Sequence, residues 1–313
     1  MNEKEKNFIS VVYYMHNDEK YIQQWLQLLQ KTLENNFLHS EIICVNDAST
    51  DHSVEMVRDF SRQVKGVSIS ILNMGYYQGL ELSMNAGVNL AIGDFVFEFD
   101  GVIPDFTEET IMAVYRRALQ GFDIVSASPR KRKENSSRLF YYLFNTFSHR
   151  QYIMGTERFR ILSRRVINRI DSTNKVVLYR KAIYANCGLP TDLYYYEPSE
   201  NIAITRDTQE KKYRMRLGMD ALLLFTDAGY RFSMLLTGFM MLMTLFMACY
   251  AVVTYLISVP VPGWTTTILF LSFAFFGVFG GLTIVIKYLQ IITSLTFKRK
   301  RYSFESIEKL TNE

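Results

Sequence analysis

Two long apolar runs in the last third of the chain restrict its architecture more than any other sequence feature. Residues 232–257 and 264–286 contain no charged side chain, and each run exceeds the roughly 20 residues that a helix needs to cross a bilayer. The alternative is a pair of buried core helices, but soluble helices of this length normally keep a polar stripe. The runs therefore predict two transmembrane helices within residues 231–297.

Basic residues flank both runs on their outer sides, while the connection between them, "SVPVPG", is short and uncharged. The basic residues are Arg214, Arg216 and Arg231 before the first run, and residues 298–301 after the second. Loops rich in Lys and Arg stay on the cytoplasmic side, and the charged start "MNEKEKNF" is not typical of a cleavable signal. We expect a multi-pass protein of the inner (cell) membrane whose soluble part is cytoplasmic.

Cysteine content and net charge exclude some further functions. Cys44, Cys187 and Cys249 are scattered without metal-ligand spacing, and a reducing compartment would leave them as thiols. The formal net charge of +4 is small, and the basic clusters lie beside the apolar runs, where anionic lipid head groups attract them. The membrane is therefore an expected partner, and nucleic acid is not.

Residues 8–128 alternate strand-like and helix-like segments, which predicts an open α/β sheet. Strand-like runs include "FISVVYY" and "SEIICVN", and the intervening "EKYIQQWLQLLQKTLEN" repeats apolar residues at helical spacing. In such sheets, ligands bind beyond the carboxyl ends of the strands. The polar residues at those ends should line one crevice; they are Asn17, Asp18, Asn46, Asp47, Asn73 and Asp100.

After residue 128, two segments differ in the arrangement of their basic and apolar residues. "RFRILSRRVINRI" places basic and apolar residues at roughly helical spacing, and "KKYRMRLGMDALLLFTDA" combines a basic start with an apolar stripe. The second segment favours a helix on the membrane surface, with an ordinary domain helix as the alternative. The predicted organisation is a soluble domain at 1–210, an amphipathic juxtamembrane helix at 211–230, two transmembrane helices at 231–297 and a cytoplasmic tail at 298–313.

Four segments in order carry a family resemblance: "ISVVYYMHNDE", "ICVNDASTDHS", "NMGYYQGLELSMNAGVNLAIGDFVFEFDG" and "RFRILSRR". With the apolar runs behind them, they resemble family 2 glycosyltransferases of the GT-A fold. More narrowly, they resemble the polyprenyl-phosphate group, which contains dolichol-phosphate mannose synthase and bactoprenol glucosyltransferases. The resemblance implies a Rossmann-like α/β domain that moves a sugar, with inversion, from a nucleotide diphosphate sugar to a polyprenyl phosphate lipid. It leaves a homo-oligomer open.

The resemblance also implies a nucleotide site. Asp47 matches the family aspartate that accepts a hydrogen bond from the base, and the alternative is that Asp47 caps the helix beginning near Ser53. "YYMHNDE" departs from the family pattern, because Tyr14 and His16 replace a proline and a tyrosine, and Asp18 replaces a glutamate. The predicted nucleotide-binding residues are Tyr14, His16, Asp18, Asp47, Asp100 and Gly101.

Asp100 matches the first carboxylate of the family's Asp-x-Asp motif, which holds a divalent cation against the diphosphate. The second carboxylate is replaced by Val102, and Pro104 stands where a glutamine is common. The resemblance therefore implies Mg²⁺ or Mn²⁺ that is weakly held by Asp100. Asp105 or Glu98 are candidates to compensate for the missing ligand.

Basic residues resemble those that contact the diphosphate and the acceptor phosphate in this group, because guanidinium groups fit phosphate oxygens. The candidates are Arg130, Arg138 and Lys212, and the alternative is an ordinary solvated loop. Phe159 and Arg160 match the family's Gly-Asp-Phe-Arg-Leu stretch, although Arg158 replaces its acidic residue. Asp100 and Arg160 are the predicted catalytic residues.

The departures at Val102, Pro104 and Arg158 leave a second hypothesis open. It is a catalytically silent, glycosyltransferase-like membrane subunit or scaffold that retains nucleotide-sugar binding.

Overall fold

The strand-like runs of the first 130 residues form the centre of a mixed sheet. The structure is a computed structural model that describes residues 4–64, 66–130, 157–172, 179–185, 187–199 and 302–310, together with isolated positions between 235 and 292. Arg138 and Lys212, and the predicted juxtamembrane helix at 211–230, lie outside the described residues. Most of residues 231–297 do so as well.

The first part of the chain alternates strands and helices as the sequence predicts. Its elements are β1 (Ile9–Met15), α1 (Glu19–Asn36), β2 (Ser40–Asn46), α2 (Ser53–Gln63), β3 (Ser68–Met74), α3 (Leu80–Leu90), β4 (Phe95–Phe99), α4 (Glu108–Leu119) and β5 (Ile124–Pro129). The later described elements are β6 (Phe159–Ser163), α5 (Arg164–Ser172), α6 (Arg180–Ala185), β7 (Thr191–Tyr196) and β8 (Phe304–Lys309).

The strand order across the described sheet is β7-β5-β6-β4-β1-β2-β3-β8. Strands β1 to β4 are parallel, whereas β6 lies antiparallel between β4 and β5, and β8 pairs antiparallel with β3. The chain order changes direction at β1, which has β2 on one side and β4 on the other. Such a change of order opens a crevice at the carboxyl ends of the strands, and the predicted α/β sheet is confirmed.

Both faces of the sheet are covered by amphipathic helices. Helix α1 buries Trp25, whose ring lies 4.7 Å from that of Phe99 on β4. Helix α3 packs so closely on the other face that a Cβ added at Gly87 would lie 2.5 Å from side-chain carbons of Val12 and Val45. The amino end of α3 is attached separately, because the N–H of Gly79 donates to Asp47, directly after β2.

The segment "RFRILSRRVINRI" differs from its predicted helical spacing. Its first part forms β6 and only Arg164–Ser172 is helical. The reason is that Phe159, Arg160 and Ile161 are buried between β4 and β5, and a strand buried on both faces shows no polar alternation.

The residues after the second apolar run return to the sheet. Phe304–Lys309, within the predicted cytoplasmic tail, form the edge strand β8 and belong to the same compact unit as β1 to β7. Residues 302–310 therefore lie on the same side of any membrane as the rest of the sheet.

The described positions between 235 and 292 are helical except Gly263. Several of these described positions carry large, exposed apolar side chains: Leu271, Phe275, Val278, Leu282, Val285, Leu289 and Ile292. Among the described positions, no helix has both the length and the apolar content of a membrane span.

Candidate active site

Asp100, directly after β4, is held by two buried arginines. One carboxylate oxygen accepts a hydrogen bond from Arg160 Nη2 at 3.2 Å, and the other accepts one from Arg180 Nη2 at 2.8 Å. Arg160 lies on β6, where its partner in the register is Glu98 of β4, and Arg180 is the first residue of α6. The structure therefore brings together both predicted catalytic residues, Asp100 and Arg160.

Two further carboxylates complete this charge cluster. Glu98 accepts hydrogen bonds from Arg160 Nη1 at 2.8 Å and the Tyr184 hydroxyl at 2.5 Å, and it lies 3.1 Å from Arg180 Nη1. Glu81, in the first turn of α3, accepts bonds from the backbone N–H and Nε of Arg180. The Arg160 guanidinium thus faces two carboxylates and that of Arg180 faces three. Such pairing is what makes a buried charge tolerable.

The cluster fixes the ionisation of its members. Burial alone would raise the pKa of Asp100, but the guanidiniums of Arg160 and Arg180 outweigh it and hold that pKa well below its ordinary value. Burial would also lower the pKa of Arg160, and Asp100 and Glu98 raise it instead. Asp100 is therefore a permanent anion, although its charge is already shared with two cations.

The described residues do not fit a divalent cation held by the protein alone. Both Asp100 oxygens bind arginines, Val102 is 1% exposed within an apolar cluster, and Asp105 binds the Arg158 guanidinium at 3.1 Å and the Tyr196 hydroxyl at 3.0 Å. A hard cation needs several oxygen ligands. No group of three or more potential ligands occurs in the described part of the chain.

Asp47 fastens the loop that precedes α3. Its side chain is fully buried, and its two oxygens accept the backbone N–H groups of Gln78 at 2.8 Å and Gly79 at 2.7 Å, together with the Tyr14 hydroxyl at 2.9 Å. The Ser53 N–H at the start of α2 binds Asp51 instead, so the capping alternative for Asp47 is wrong. Contact between Asp47 and a base stays a prediction, and it would use the one acceptor position that these donors leave.

The other predicted nucleotide-binding residues surround Asp47. The His16 ring nitrogen Nδ1 lies 2.7 Å from the Asp47 carbonyl oxygen, and the ring lies 4.8 Å from that of Tyr77. Asp18 accepts the His16 N–H, and its own N–H donates to the Ser53 hydroxyl. These bonds tie the loop after β1 to the loop after β2, so Tyr14, His16, Asp18 and Asp47 form one site.

The remaining candidates lie nearer the surface. A Cβ added at Gly101 would meet no atom within 4 Å, so the position beside Asp100 is open to a ligand. Arg130 follows β5, is exposed, and has its Nη1 3.7 Å from a Glu197 carboxylate oxygen. Arg130 thus remains available to a phosphate, because a surface ion pair of this length contributes little.

Sequence reasoning missed Arg180, Glu81, Tyr184 and Gln78. Glu81 carried a usable signal, because it is the one acidic residue of the helix "LELSMNAGVNL" and a buried carboxylate requires a cationic partner. Arg180 carried none, because no motif surrounds it and its partners lie 80 or more residues away in the chain.

Comparison with known proteins decides the family. The model of Glycosyl transferase family 2 matches residues 10–185, more than half of the chain. The chain belongs to glycosyl transferase family 2. It is therefore a glycosyltransferase, its sheet domain is of the GT-A type, and the resemblance of the four sequence segments is confirmed.

Two curated relatives are similar to this glycosyltransferase. The uncharacterized glycosyltransferase sll0501 of Synechocystis sp. is 28% identical over 189 residues, which are 58% of this chain and 58% of that protein. The prophage bactoprenol glucosyl transferase homolog of Escherichia coli K12 is 26% identical over 201 residues, 62% of this chain and 65% of the relative. The chain thus spans less than two thirds of either relative.

A solved structure is similar in fold. Glucosyl-3-phosphoglycerate synthase of Mycobacterium tuberculosis, in complex with Mn²⁺, UDP and phosphoglyceric acid, has a TM-score of 0.49 and 15% identity. The similarity covers 71% of this chain and 81% of that one.

Proposed function

We propose that this glycosyltransferase is anchored in the inner (cell) membrane and moves a sugar from a nucleotide diphosphate sugar to a polyprenyl phosphate at the cytoplasmic face. The observation that carries the proposal is the position of Asp100. Asp100 lies at the carboxyl end of β4, where it binds arginines from β6 and α6. Strand β1 lies between β4 and β2, the strand that the Asp47 loop follows. Family membership and the name of the bactoprenol relative support the substrate class.

The proposed chemistry is direct displacement at the sugar carbon with inversion. A phosphate acceptor is already ionised at neutral pH, so the site must orient it rather than deprotonate it. Arg160 and Arg180 hold Asp100 as a fixed anion beside the open position at Gly101, where the donor sugar would be oriented. No step of this proposal involves a metal ion, and a cation bound through the nucleotide's own diphosphate stays a prediction.

Two observations support membrane attachment. Several described residues from Leu271 to Ile292 are large, apolar and exposed, and an exposed apolar surface is typical of a region that contacts lipid or another protein. Strand β8 pairs with β3, so a segment between residues 199 and 302 that crosses a membrane would do so an even number of times. The strand pairing agrees with two crossings, and the exposed apolar side chains agree with attachment to a membrane.

The test is sugar transfer by the purified full chain in detergent. Undecaprenyl phosphate serves as the acceptor probe, and UDP-glucose, UDP-N-acetylglucosamine and GDP-mannose are tried as donors, with and without Mn²⁺. Asp100→Asn should reduce transfer by about 100-fold, the usual effect of losing one preorganised charge in an active site. Asp59→Asn, at an exposed pair with Arg62, is the matched control and should leave transfer unchanged.

Donor binding is measured beside transfer by calorimetry. Donor binding without transfer to the lipid would instead support the silent subunit or scaffold. If the protein neither binds nor transfers any of the donors, the proposal is overturned.

A further inference from the structure

The C-terminal segment Tyr302–Leu310 makes side-chain contacts that an edge strand does not need. Backbone pairing with β3 would be enough to attach β8 to the sheet. In addition, the segment binds four polar side chains of the sheet domain: Arg58, Asn73, Gln78 and Asn89. Two of these, Asn73 and Gln78, lead directly to the loop that carries Asp47.

The first connection runs through Gln78. The side-chain amide of Gln78 pairs with the backbone of Ser303 in both directions: its oxygen accepts the Ser303 N–H at 3.0 Å, and its nitrogen donates to the Ser303 carbonyl. The Gln78 backbone N–H in turn donates to Asp47. Gln78 is 7% exposed, so its amide has few alternative partners if Ser303 withdraws.

The second connection runs through Asn73, at the end of β3. Its side-chain nitrogen donates to Glu308 at 2.7 Å and to the Ser306 hydroxyl at 3.1 Å. Its side-chain oxygen accepts from Asn46, whose own oxygen accepts the Ser49 N–H at 3.0 Å. This route ends in the same loop, two residues after Asp47.

The far end of the segment is also bound to α2, through the same Glu308 side chain that Asn73 contacts. Glu308 accepts two hydrogen bonds from Arg58 on α2, at 2.8 and 2.9 Å. A bidentate pair of this kind orients both groups as well as attracting them. Segment Tyr302–Leu310 thus has one anchor on α2 and two connections to the loop after β2.

We propose that segment Tyr302–Leu310 is a positioning element of the nucleotide site, and that Gln78 and Asn73 are the positioning residues through which it acts. The residues after the apolar runs thereby set the geometry of the loop that receives the donor nucleotide. Undocking of the segment would release Gln78, loosen the Gln78 and Gly79 N–H bonds to Asp47, and weaken nucleotide binding. The proposal rests on the proposed function, because it assigns the Asp47 loop to the donor.

The first experiment needs no ligand. Ser303→Pro removes the N–H that Gln78 accepts and also fixes the backbone φ angle at residue 303. Ser303→Ala loses the same hydroxyl but keeps the N–H, and it is the matched control. Hydrogen–deuterium exchange of the full chain should show amides of residues 47–53 and 75–81 exchanging about fivefold faster in Ser303→Pro than in Ser303→Ala, as expected for loss of one hydrogen bond. Amides of α4, on the other face of the sheet, should exchange equally in both.

The second experiment measures binding. UDP and GDP are titrated into unmodified protein, Gln78→Ala, Asn73→Ala and the two Ser303 variants, and melting temperatures are recorded for each. Whichever nucleotide binds the unmodified chain should bind about five- to tenfold more weakly to Gln78→Ala and to Ser303→Pro. The double variant Gln78→Ala/Ser303→Pro should bind that nucleotide no more weakly than either single variant.

Two results separate this proposal from the proposed function. Equal exchange of residues 47–53 and 75–81 in Ser303→Pro and Ser303→Ala would overturn the positioning role, whatever binds. Faster exchange with no binding of either nucleotide to the unmodified chain would support the connection between segment and loop, and would contradict the assignment of that loop to UDP or GDP. Additive losses in the double variant would show that Gln78 and Ser303 act separately and would also overturn the proposal.

Discussion

Val102 stands where the family resemblance implies a metal-binding carboxylate, and in the structure it is part of the apolar core. It is 1% exposed and belongs to the same cluster as Phe99, Phe106 and Phe159. The chain of replacements at this strand end is therefore consistent: the second acidic group is gone, and the first, Asp100, is neutralised by arginines. The charged side chains at this strand end pair with one another and do not present a set of carboxylates to a cation.

The first prediction concerns Val102→Asp. The apolar cluster around Val102 offers a carboxylate no cationic partner. The free energy of unfolding should therefore fall by about 3 kcal/mol or more. Val102→Ala is the size control and should cost about 2 kcal/mol, because it only removes two methyl groups from the core. Thermal melts with and without MnCl₂ measure both variants. An unchanged melting temperature that Mn²⁺ then raises would contradict the burial argument.

The second prediction concerns Arg180→Met. It leaves Glu81, Glu98 and Asp100 with a single buried guanidinium, so the variant should lose about 3 to 5 kcal/mol at pH 7. The pKa of Asp100 is depressed in the unmodified protein, and without Arg180 burial should raise it again. Protonation of Asp100 would then remove its unpaired charge. The loss of unfolding free energy in Arg180→Met should therefore become smaller as the pH falls.

Urea unfolding at about pH 7 and pH 5 measures this deficit. Arg62→Met, which breaks an exposed pair with Asp59, should cost less than about 1 kcal/mol at both values. A deficit for Arg180→Met that stays constant or grows toward pH 5 would show that Asp100 does not depend on Arg180.

At the scale of elements, β8 combines a weak edge position with a strong polar anchor. The pKa of Glu308 lies below its ordinary value of 4.5, chiefly because it accepts hydrogen bonds from Arg58, with Asn73 contributing a further bond. A depressed carboxyl pKa contributes stability that is present above 4.5 and is lost as the pH falls through the lower, folded value. Docking of β8 should therefore weaken in acid before the central strands do.

The third prediction follows from this anchor. Exchange protection of residues 304–309, corrected for the intrinsic rate at each pH, should decrease below about pH 4.5, while protection of β1 is unchanged. Arg58→Met should reduce the protection of β8 already at pH 7 and abolish its dependence on pH in this range. Equal loss of protection in β8 and β1 would mean that the whole sheet opens together.

The elements also show how far the sequence determines the structure. The segments with clear periodicity, such as α1 and the strands β1 and β2, were predicted because their own residues carry the pattern. The sequence pattern indicates a helix at β6 and gives no signal for β8, because both strands depend on pairing with distant parts of the chain: β6 with β4 and β5, and β8 with β3. The candidate site divides in the same way: Asp47 and Asp100 lie in local motifs, while Arg180 and Gln78 matter through long-range contacts.

At the scale of the whole molecule, the sheet constrains how the chain can meet a membrane. Strand β3 lies before the apolar runs and β8 lies after them, and the two are hydrogen-bonded neighbours. An odd number of crossings between residues 199 and 302 would place them on opposite sides. The fold therefore admits two crossings, as the two uncharged runs and their basic outer flanks predict, and it does not admit one or three.

The fourth prediction tests this topology by labelling single cysteines in intact cells. In a variant whose natural cysteines are replaced, Val261→Cys, in the short connection between the runs, should react with an impermeant maleimide. Glu305→Cys, at an exposed position of β8, should react only after the membrane is permeabilised, because β8 shares its side of the membrane with the sheet, which we propose to be cytoplasmic. Glu55→Cys, exposed on α2, is the matched control and should behave as Glu305→Cys does. Labelling of Glu305→Cys but not Glu55→Cys in intact cells would mean that β8 is not paired with β3 in the membrane-bound protein, and the positioning role of segment Tyr302–Leu310 would fail with it.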